Sequence, residues 1–416
     1  MKILFLLQEF PYPPINGKRM KLFALLQGIS RRSECHVLSF AEPPDQKDVE
    51  EFLKHCPGVK VLGLFTPRPS TLVTKLSGFL RKGLISSGAY DNPQFENMLF
   101  ETLARTTYDA IHIDMINLVW LAARIKHPKV LLSVNDAVSL GYMSSAKSAS
   151  SWFRSLRLAL AARAIRRYER RAYQGQVVHV VSRLDQEYLR RLCPSARVEV
   201  VALAVDPRSF AEPDFHEKAK KTITIPLSFI RPGVCKAVLD FMSAARPLLG
   251  SECLDASIQI VGRGANESFL REITAYPNVK YLGWVENYSA TLREASVALF
   301  LENSGAGTKT RLLEAMAVGV PLAVSRNVAS GVEAVDGRHF LVCDTPEDFV
   351  SAVKVILSDP TLAASLGREA WRFAADNHSV SSVTGKWEVL YRSLGKPLID
   401  DPSPRTGREA VQLTFS

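Results

Sequence analysis

The chain is poor in cysteine and places none of it in pairs. Its six cysteines among 416 residues, at 35, 56, 193, 235, 253 and 343, form no CxxC and no zinc-type spacing. That excludes a disulfide-stapled scaffold and a structural zinc module, and it suits a reducing compartment. The eight histidines never fall at metal-ligand spacing on one helix, so no metal site built by the protein itself is expected. No run approaches the roughly 18 apolar residues needed to span a bilayer. Met1 to Leu7 carries one lysine and then five apolar residues before Gln8 and Glu9. This is shorter than a signal-peptide core and reads as a buried first strand. Repeats at solenoid periods and low-complexity tracts are also absent, which excludes repeat architectures.

What is present is an ordinary globular composition, 47% hydrophobic and 23% charged, with a formal charge of +10. The length suits two domains of about 200 residues each, and two domains imply a cleft. The basic balance favours polyanionic partners: diphosphates, anionic lipid surfaces or nucleic acid. Nucleic acid is not expected, because RNP-like aromatic strands, zinc modules and other reader motifs are missing.

Short apolar runs alternate with longer amphipathic stretches from end to end, the pattern of parallel βα units. The first half offers strands at Lys2–Leu7, Cys35–Phe40, Val59–Leu64, Ala110–Ile113, Val130–Val134, Val177–Val181 and Val198–Val201. A polar stretch, Asp206–Lys221, reads as a linker. The pattern then restarts at Ile223–Phe229, Ala256–Val261, Val279–Tyr281, Val297–Leu301, Pro321–Val324 and Phe340–Val342. Three helices are expected at Pro346–Leu357, Leu362–Asp376 and Ser381–Ser393. The expected organisation is a Rossmann-like domain over 1–210, a second over 211–380, a helix at 381–395 that crosses back to the first domain, and a loose tail at 396–416.

The segment Leu301–Val324 reads strand, glycine-bearing loop, helix, strand. Gly305 and Gly307 permit a tight turn close to a ligand, and Thr308 suits the N-cap of the helix that follows. A helix N-terminus presents unpaired amides and partial positive charge to an anion, and Lys309 and Arg311 add full charges there. Glu314, further along the helix, suits the two hydroxyls of a ribose. A capped helix with Glu314 on a solvated face accounts for the same residues, and pattern alone leaves both readings open. GxG at Gly262–Gly264 is a weak dinucleotide signal, with Glu267 in the third-glycine place.

The run Gly305, Gly307, Thr308, Lys309, Arg311, Leu313, Glu314, Ala315, Met316, Ala317, Gly319, Pro321 resembles the G-x-G-T-[RK]-x-K-x-L-E-A-M-A-x-G-x-P segment of GT-B glycosyltransferases of family 4, of the exopolysaccharide type. Other pieces follow in the family's order. PYPPINGKRMKL resembles its Pro-rich loop, SVNDAVS and the helix ending RRYERRAY its middle segment, and VVSRLDQEYL and VALAVDPRSF the approach to the linker. IQIVGRGA resembles its V-G-x-G strand end. The resemblance implies two facing doubly wound domains with an interdomain cleft. It implies a nucleotide diphosphate sugar as donor substrate rather than a cofactor, and transfer with retention to an acceptor hydroxyl in polysaccharide or glycoconjugate synthesis. The acceptor would be a saccharide, a lipid-linked species or a small molecule. It further implies that Gly17 and Gly307 lie against the diphosphate, that Gly262 approaches the base or ribose, and that Glu314 holds the ribose.

The chain departs from that family at three places. Broader family 4 has two glutamates eight apart, and the first falls here on Ala306. The strand that often ends H-x-H reads His112-Ile113-Asp114. Asp114 suits a catalytic role, taking the acceptor proton or steadying positive charge on the sugar ring; it equally suits the N-cap of a helix Met115–Ile125. Arg231 and Lys236 have the spacing of the basic pair that steadies the leaving diphosphate, with Arg231 preferred. Two alternatives share the fold: a nucleotide-sugar epimerase that needs no acceptor, and a degenerate nucleotide-binding partner subunit.

From Trp152 to Tyr173 seven arginines interleave with Trp152, Leu156, Leu160, Ile165 and Tyr168. The usual behaviour of charged helices favours a core-facing apolar stripe with a solvated arginine face. The alternative is a helix resting on an anionic membrane, which would place a cytoplasmic protein at the cytoplasmic membrane face.

Overall fold

Parallel strands that are covered on both faces read as unbroken apolar runs, and the first, KILFLL, has five of its six residues buried. The computed structural model describes residues 1–42, 46–147, 149, 151–205, 207–210, 221–229, 233–246, 256–276, 278–303 and 308–395. Of the linker reading, residues 206 and 211–220 fall outside them, and the tail does so entirely. Seven strands make the first sheet: β1 (Lys2–Leu7), β2 (Glu34–Phe40), β3 (Val59–Phe65), β4 (Ala110–Asp114), β5 (Val130–Asn135), β6 (Val177–Val180) and β7 (Arg197–Val200). Six make the second: β8 (Lys221–Pro226), β9 (Ala256–Val261), β10 (Val279–Gly283), β11 (Val297–Phe300), β12 (Leu322–Ser325) and β13 (Leu341–Cys343).

The sheet orders are β3-β2-β1-β4-β5-β6-β7 and β10-β9-β8-β11-β12-β13, and the strand pairs are parallel. Each order reverses once, between β1 and β4 and between β8 and β11. Connections on the two sides of such a reversal leave opposite faces of the sheet, so a crevice opens beyond the strand ends, where ligands of doubly wound folds sit. The sequence therefore places Gly17 and Asp114 beyond one reversal and residues 301–303, with Thr308 and Lys309, beyond the other.

The chain then crosses back. Helices Pro346–Ser358, Pro360–His378 and Val380–Ser393 follow β13, and the last brings Val383, Trp387, Leu390 and Tyr391 into the core around β1 and β2. It lies so close to the helix Gly17–Ile29 that a Cβ on Gly28 would fall 1.9 Å from Thr384 Oγ1. Arg197 donates to the Ser393 carbonyl at 3.1 Å and to its hydroxyl oxygen at 2.8 Å, and Tyr391 is hydrogen-bonded through its hydroxyl to His112 Nδ1 at 2.8 Å. The expected helix Met115–Ile125 is instead a 3-10 helix, Ile116–Ala123, with Met115 before it and no side-chain cap. Among the described residues no single helix is long and apolar enough to cross a membrane.

Trp387 stacks within this contact, its ring 4.3 Å from that of His179 and 5.6 Å from that of Tyr391. Trp387→Ala leaves a large cavity between the crossing helix and the first domain. It should lower stability by about 3–5 kcal/mol, read as a drop in the urea midpoint of the transition that reports on the first domain.

Candidate active site

Two helix N-termini meet across the cleft. Asn16 caps the first, its Oδ1 accepting from the amides of Lys18 and Arg19 at 3.0 Å each, so that Gly17 begins the helix. The second helix runs Thr310–Val318, and among the described residues no side chain caps it. A Cβ on Gly17 would stand 3.5 Å from Thr310 Oγ1. Glu314, half-buried, lines a narrow pocket with Met20 and Lys21 from the first helix, Leu203, Ala204 and Val205 from the crossing segment, and Thr310 and Leu313 from its own. The uncapped amides and partial charge of the Thr310 helix end suit an anion here.

The expected cap is corrected. Thr308 donates its hydroxyl to the Gly331 carbonyl at 2.6 Å, while Lys309 occupies the N-cap position. Thr308 stands one residue before the N-cap, and its hydroxyl is turned to another loop. Lys309 is buried, 5% exposed, and its charge is felt by Asp185 of the first domain. Burial pushes the Asp185 carboxyl up, with Ser182, the Ala137 amide and Lys309 pulling the other way. Arg311 does not stand free at the helix end: it donates to Glu302 Oε1 at 2.6 Å. Glu302, just past the end of β11 beside the reversal, is 0% exposed, and its Oε2 has no hydrogen-bond partner among the described residues.

The remaining donor-side residues are dispersed. Lys236 lies in the first turn of the helix Val234–Ala245, its ammonium on Asp240 at 2.6 Å with the side chain 79% exposed. Gly262 follows β9 with φ 154°, and a Cβ there would stand 2.3 Å from the Leu227 carbonyl oxygen. Close packing against the end of β8 thus already requires glycine at that position. Arg231 and Gly307 lie outside the described residues.

Asp114 is neither an open base nor a helix cap. It is 1% exposed, and Lys21, on the helix that Gly17 begins, donates to its Oδ1 at 3.0 Å. The same ammonium donates to Ser133 Oγ at 2.9 Å and to Asn135 Oδ1. Ser133 is hydrogen-bonded in turn to His179 Nδ1 at 3.0 Å, and His179 Nε2 meets the Val201 carbonyl at 2.9 Å. Burial pushes the Asp114 carboxyl up, yet the charge of Lys21, with the His112 imidazole 3.9 Å away, outweighs it and holds the group below its usual range. Burial holds His112 and His179 low, so both are neutral near pH 7. The catalytic reading of Asp114 therefore meets an ion pair. Lys21 was missed because its signal is a lone lysine four residues after Gly17, among apolar neighbours.

The fold is GT-B. Residues 222–359 match the family model described as Glycosyl transferases group 1. No curated protein matches. Among solved structures, HepE of Anabaena in complex with UDP is similar at 16% identity and TM-score 0.65, covering 95% of this chain and 100% of its own. Sucrose-phosphate synthase of Thermosynechococcus elongatus is similar at 16% identity and TM-score 0.66, with 95% and 99% covered. WaaG, a glycosyltransferase involved in lipopolysaccharide biosynthesis, is similar at 12% identity and TM-score 0.62, with 93% and 99% covered. Residues 222–359 thus form a domain similar to the glycosyl transferases of group 1, set in a chain with the GT-B fold.

Lys21→Met leaves the Asp114 carboxylate enclosed without its counter-charge and should cost about 3–5 kcal/mol at neutral pH. In the wild type Asp114 is held below its unfolded value of about 3.9, so its contribution is complete above that value and lost as pH falls through the lower folded one. In the variant burial acts unopposed and lifts the folded pKa above the unfolded one. The penalty is then full above the raised value and fades as pH falls. Urea midpoints should therefore differ most near pH 7 and converge towards about pH 4, and the double variant Lys21→Met, Asp114→Leu should recover most of the loss.

Proposed function

We propose that the chain transfers a sugar from a nucleoside diphosphate donor to an acceptor hydroxyl, retaining the anomeric configuration. The observation that carries this reading is the uncapped N-terminus of the Thr310 helix facing Gly17 across the cleft, with Glu314 on the same side. The donor diphosphate lies between the two helix ends, where unpaired amides offset its charge without a metal built by the protein. Gly17 and Gly307 let backbone approach it, and Thr308 anchors its side of the loop through Gly331. Lys309 adds charge from below, and Arg231 is assigned to the leaving group by its sequence spacing alone, while Lys236, held on Asp240, stands apart. Glu314 accepts from the ribose hydroxyls, and Gly262 keeps the end of β9 close to the base.

The acceptor oxygen attacks the sugar C1 as the bond from C1 to the diphosphate breaks, and the hydroxyl proton passes to the departing diphosphate oxygen. Asp114, paired with Lys21, acts as part of the fixed charge beneath the acceptor rather than as a mobile base. Retention rests on the resemblance of residues 305–321 to the exopolysaccharide-type transferases, and a place in polysaccharide or glycoconjugate synthesis rests on the same resemblance. The five described cysteines are free, which supports a cytoplasmic site of action. UDP is the first nucleotide to try, because HepE is described with UDP and with UDP-glucose.

UDP, GDP, ADP and dTDP should be compared by thermal shift on the wild type and on Glu314→Ala. One nucleotide should stabilise the wild type, by about 2.7 kcal/mol at a hundredfold excess over its dissociation constant, and Glu314→Ala should abolish most of that shift. No shift with any of the four would remove the donor-site assignment. Conversion of the matching nucleotide sugar into a free isomer without acceptor would replace the transferase by an epimerase.

A further inference from the structure

The helix Trp152–Ala172 does not turn its whole apolar stripe inward. Ile165 is partly buried and Tyr168 buried, both packed around Leu84 and Ile116, but Trp152, Phe153, Leu156 and Leu160 are 77%, 63%, 49% and 60% exposed. Trp152, Leu156 and Leu160 follow one another at four-residue steps, and Arg163 and Arg167 continue the same outward row. All seven arginines of the helix are exposed, while its single carboxylate, Glu169, is 0% exposed and turned to Ser139. The outward face thus begins apolar, ends in arginine and carries no acid.

A second unpartnered apolar surface lies beside it. In the segment from the helix Leu72–Ser77 through Lys82, Leu72, Val73, Leu76 and Leu80 are 83%, 76%, 56% and 70% exposed. Residues 71–90 contain no Asp or Glu, and Lys75 and Arg81 are exposed among them. The two segments touch: a Cβ on Gly83 would stand 3.3 Å from the Tyr168 ring. Soluble surfaces rarely expose so many large apolar side chains together without a partner. Nothing among the described residues covers these.

We infer that the two segments form one docking face for an anionic lipid bilayer. The charge selects the partner: arginine and lysine without exposed carboxylate complement acidic headgroups, while leucine and tryptophan enter the interface between headgroup and acyl chain. The arginine stems lie along apolar surface with their guanidinium groups at headgroup level. The Trp152 end enters the membrane and the Arg163–Arg171 end rests on it. This surface belongs to the first domain and is separate from the donor residues.

The test is co-sedimentation of the full chain with sucrose-loaded vesicles of phosphatidylcholine, alone or mixed with an equal part of phosphatidylglycerol. Binding is expected to the mixed vesicles only. Leu156→Glu with Leu160→Glu, and separately Leu76→Glu with Leu80→Glu, should each weaken it on the order of tenfold or more, with circular dichroism and nucleotide-induced thermal shift unchanged. Arg163→Gln with Arg167→Gln should weaken it and reduce its salt dependence. Hydrogen exchange on the wild type supplies a readout that needs no variant, with vesicle-induced protection expected in 72–85 and 152–163. Three results would overturn the inference: no binding to mixed vesicles, binding indifferent to both leucine pairs, or a solution dimer that the leucine substitutions dissociate.

Discussion

A lysine ammonium enclosed beneath the ends of two neighbouring parallel strands is the constraint on which the cleft depends. Lys21 leaves water to meet Asp114, Ser133 and Asn135, and a buried charge is tolerable only when its partners are complete. The helix that carries it is thereby fixed over the reversal between β1 and β4, with Gly17 at its exposed end. The network continues from Ser133 through His179 to the Val201 carbonyl. From there the crossing segment runs to Val205, whose amide donates to the His378 carbonyl at 2.8 Å. One chain of polar contacts therefore joins the first-domain strand ends to the backbone that lines the Glu314 pocket.

Strand positions were legible because parallel strands buried on both faces are written as apolar runs, and thirteen such runs became the thirteen strands. Interactions between distant residues were not. Asp114 is a carboxylate at a strand end in the sequence, and only the fold brings it a lysine 93 residues away. Thr308 has the composition of a cap, but its hydroxyl finds a carbonyl 23 residues on. The arginine-rich helix shows the limit of periodicity. Leu160 lies near Trp152 around the helix, whereas Ile165, 13 residues after Trp152, is turned by about 220° at 3.6 residues per turn. The apolar residues that read as one stripe are two, and only the second is covered.

On the donor side, charge is organised before any ligand arrives. Arg311 is drawn back onto Glu302, and Lys309 is buried where it lowers the cost of an enclosed Asp185 in the other domain. The cations that a linear reading assigns to the diphosphate thus hold the walls of the cleft. The helix end itself is left as the electropositive surface. Amides and a fixed helix axis need no reorganisation when an anion binds, which is the condition under which electrostatic stabilisation is most effective.

The backbone beside Lys21 carries strain of a kind that stability alone does not favour. Met115 has φ 72° and ψ 148°, and Asn135 has φ 68°. Asparagine tolerates the left-handed region, but a methionine in a conformation almost confined to glycine costs of order 1–3 kcal/mol. It persists because its amide donates to the Ser133 carbonyl at 2.9 Å and its sulfur accepts from Asn135 Nδ2 at 3.1 Å. Both residues stand at the ends of the strands that hold the Lys21 partners, beyond the reversal where a doubly wound sheet receives its ligand. Relaxing Met115 would swing β4's exit and move Asp114 from beneath the ammonium. The strained turn and the buried ion pair are therefore one device, in which backbone conformation keeps a carboxylate and a lysine in register at the floor of the cleft.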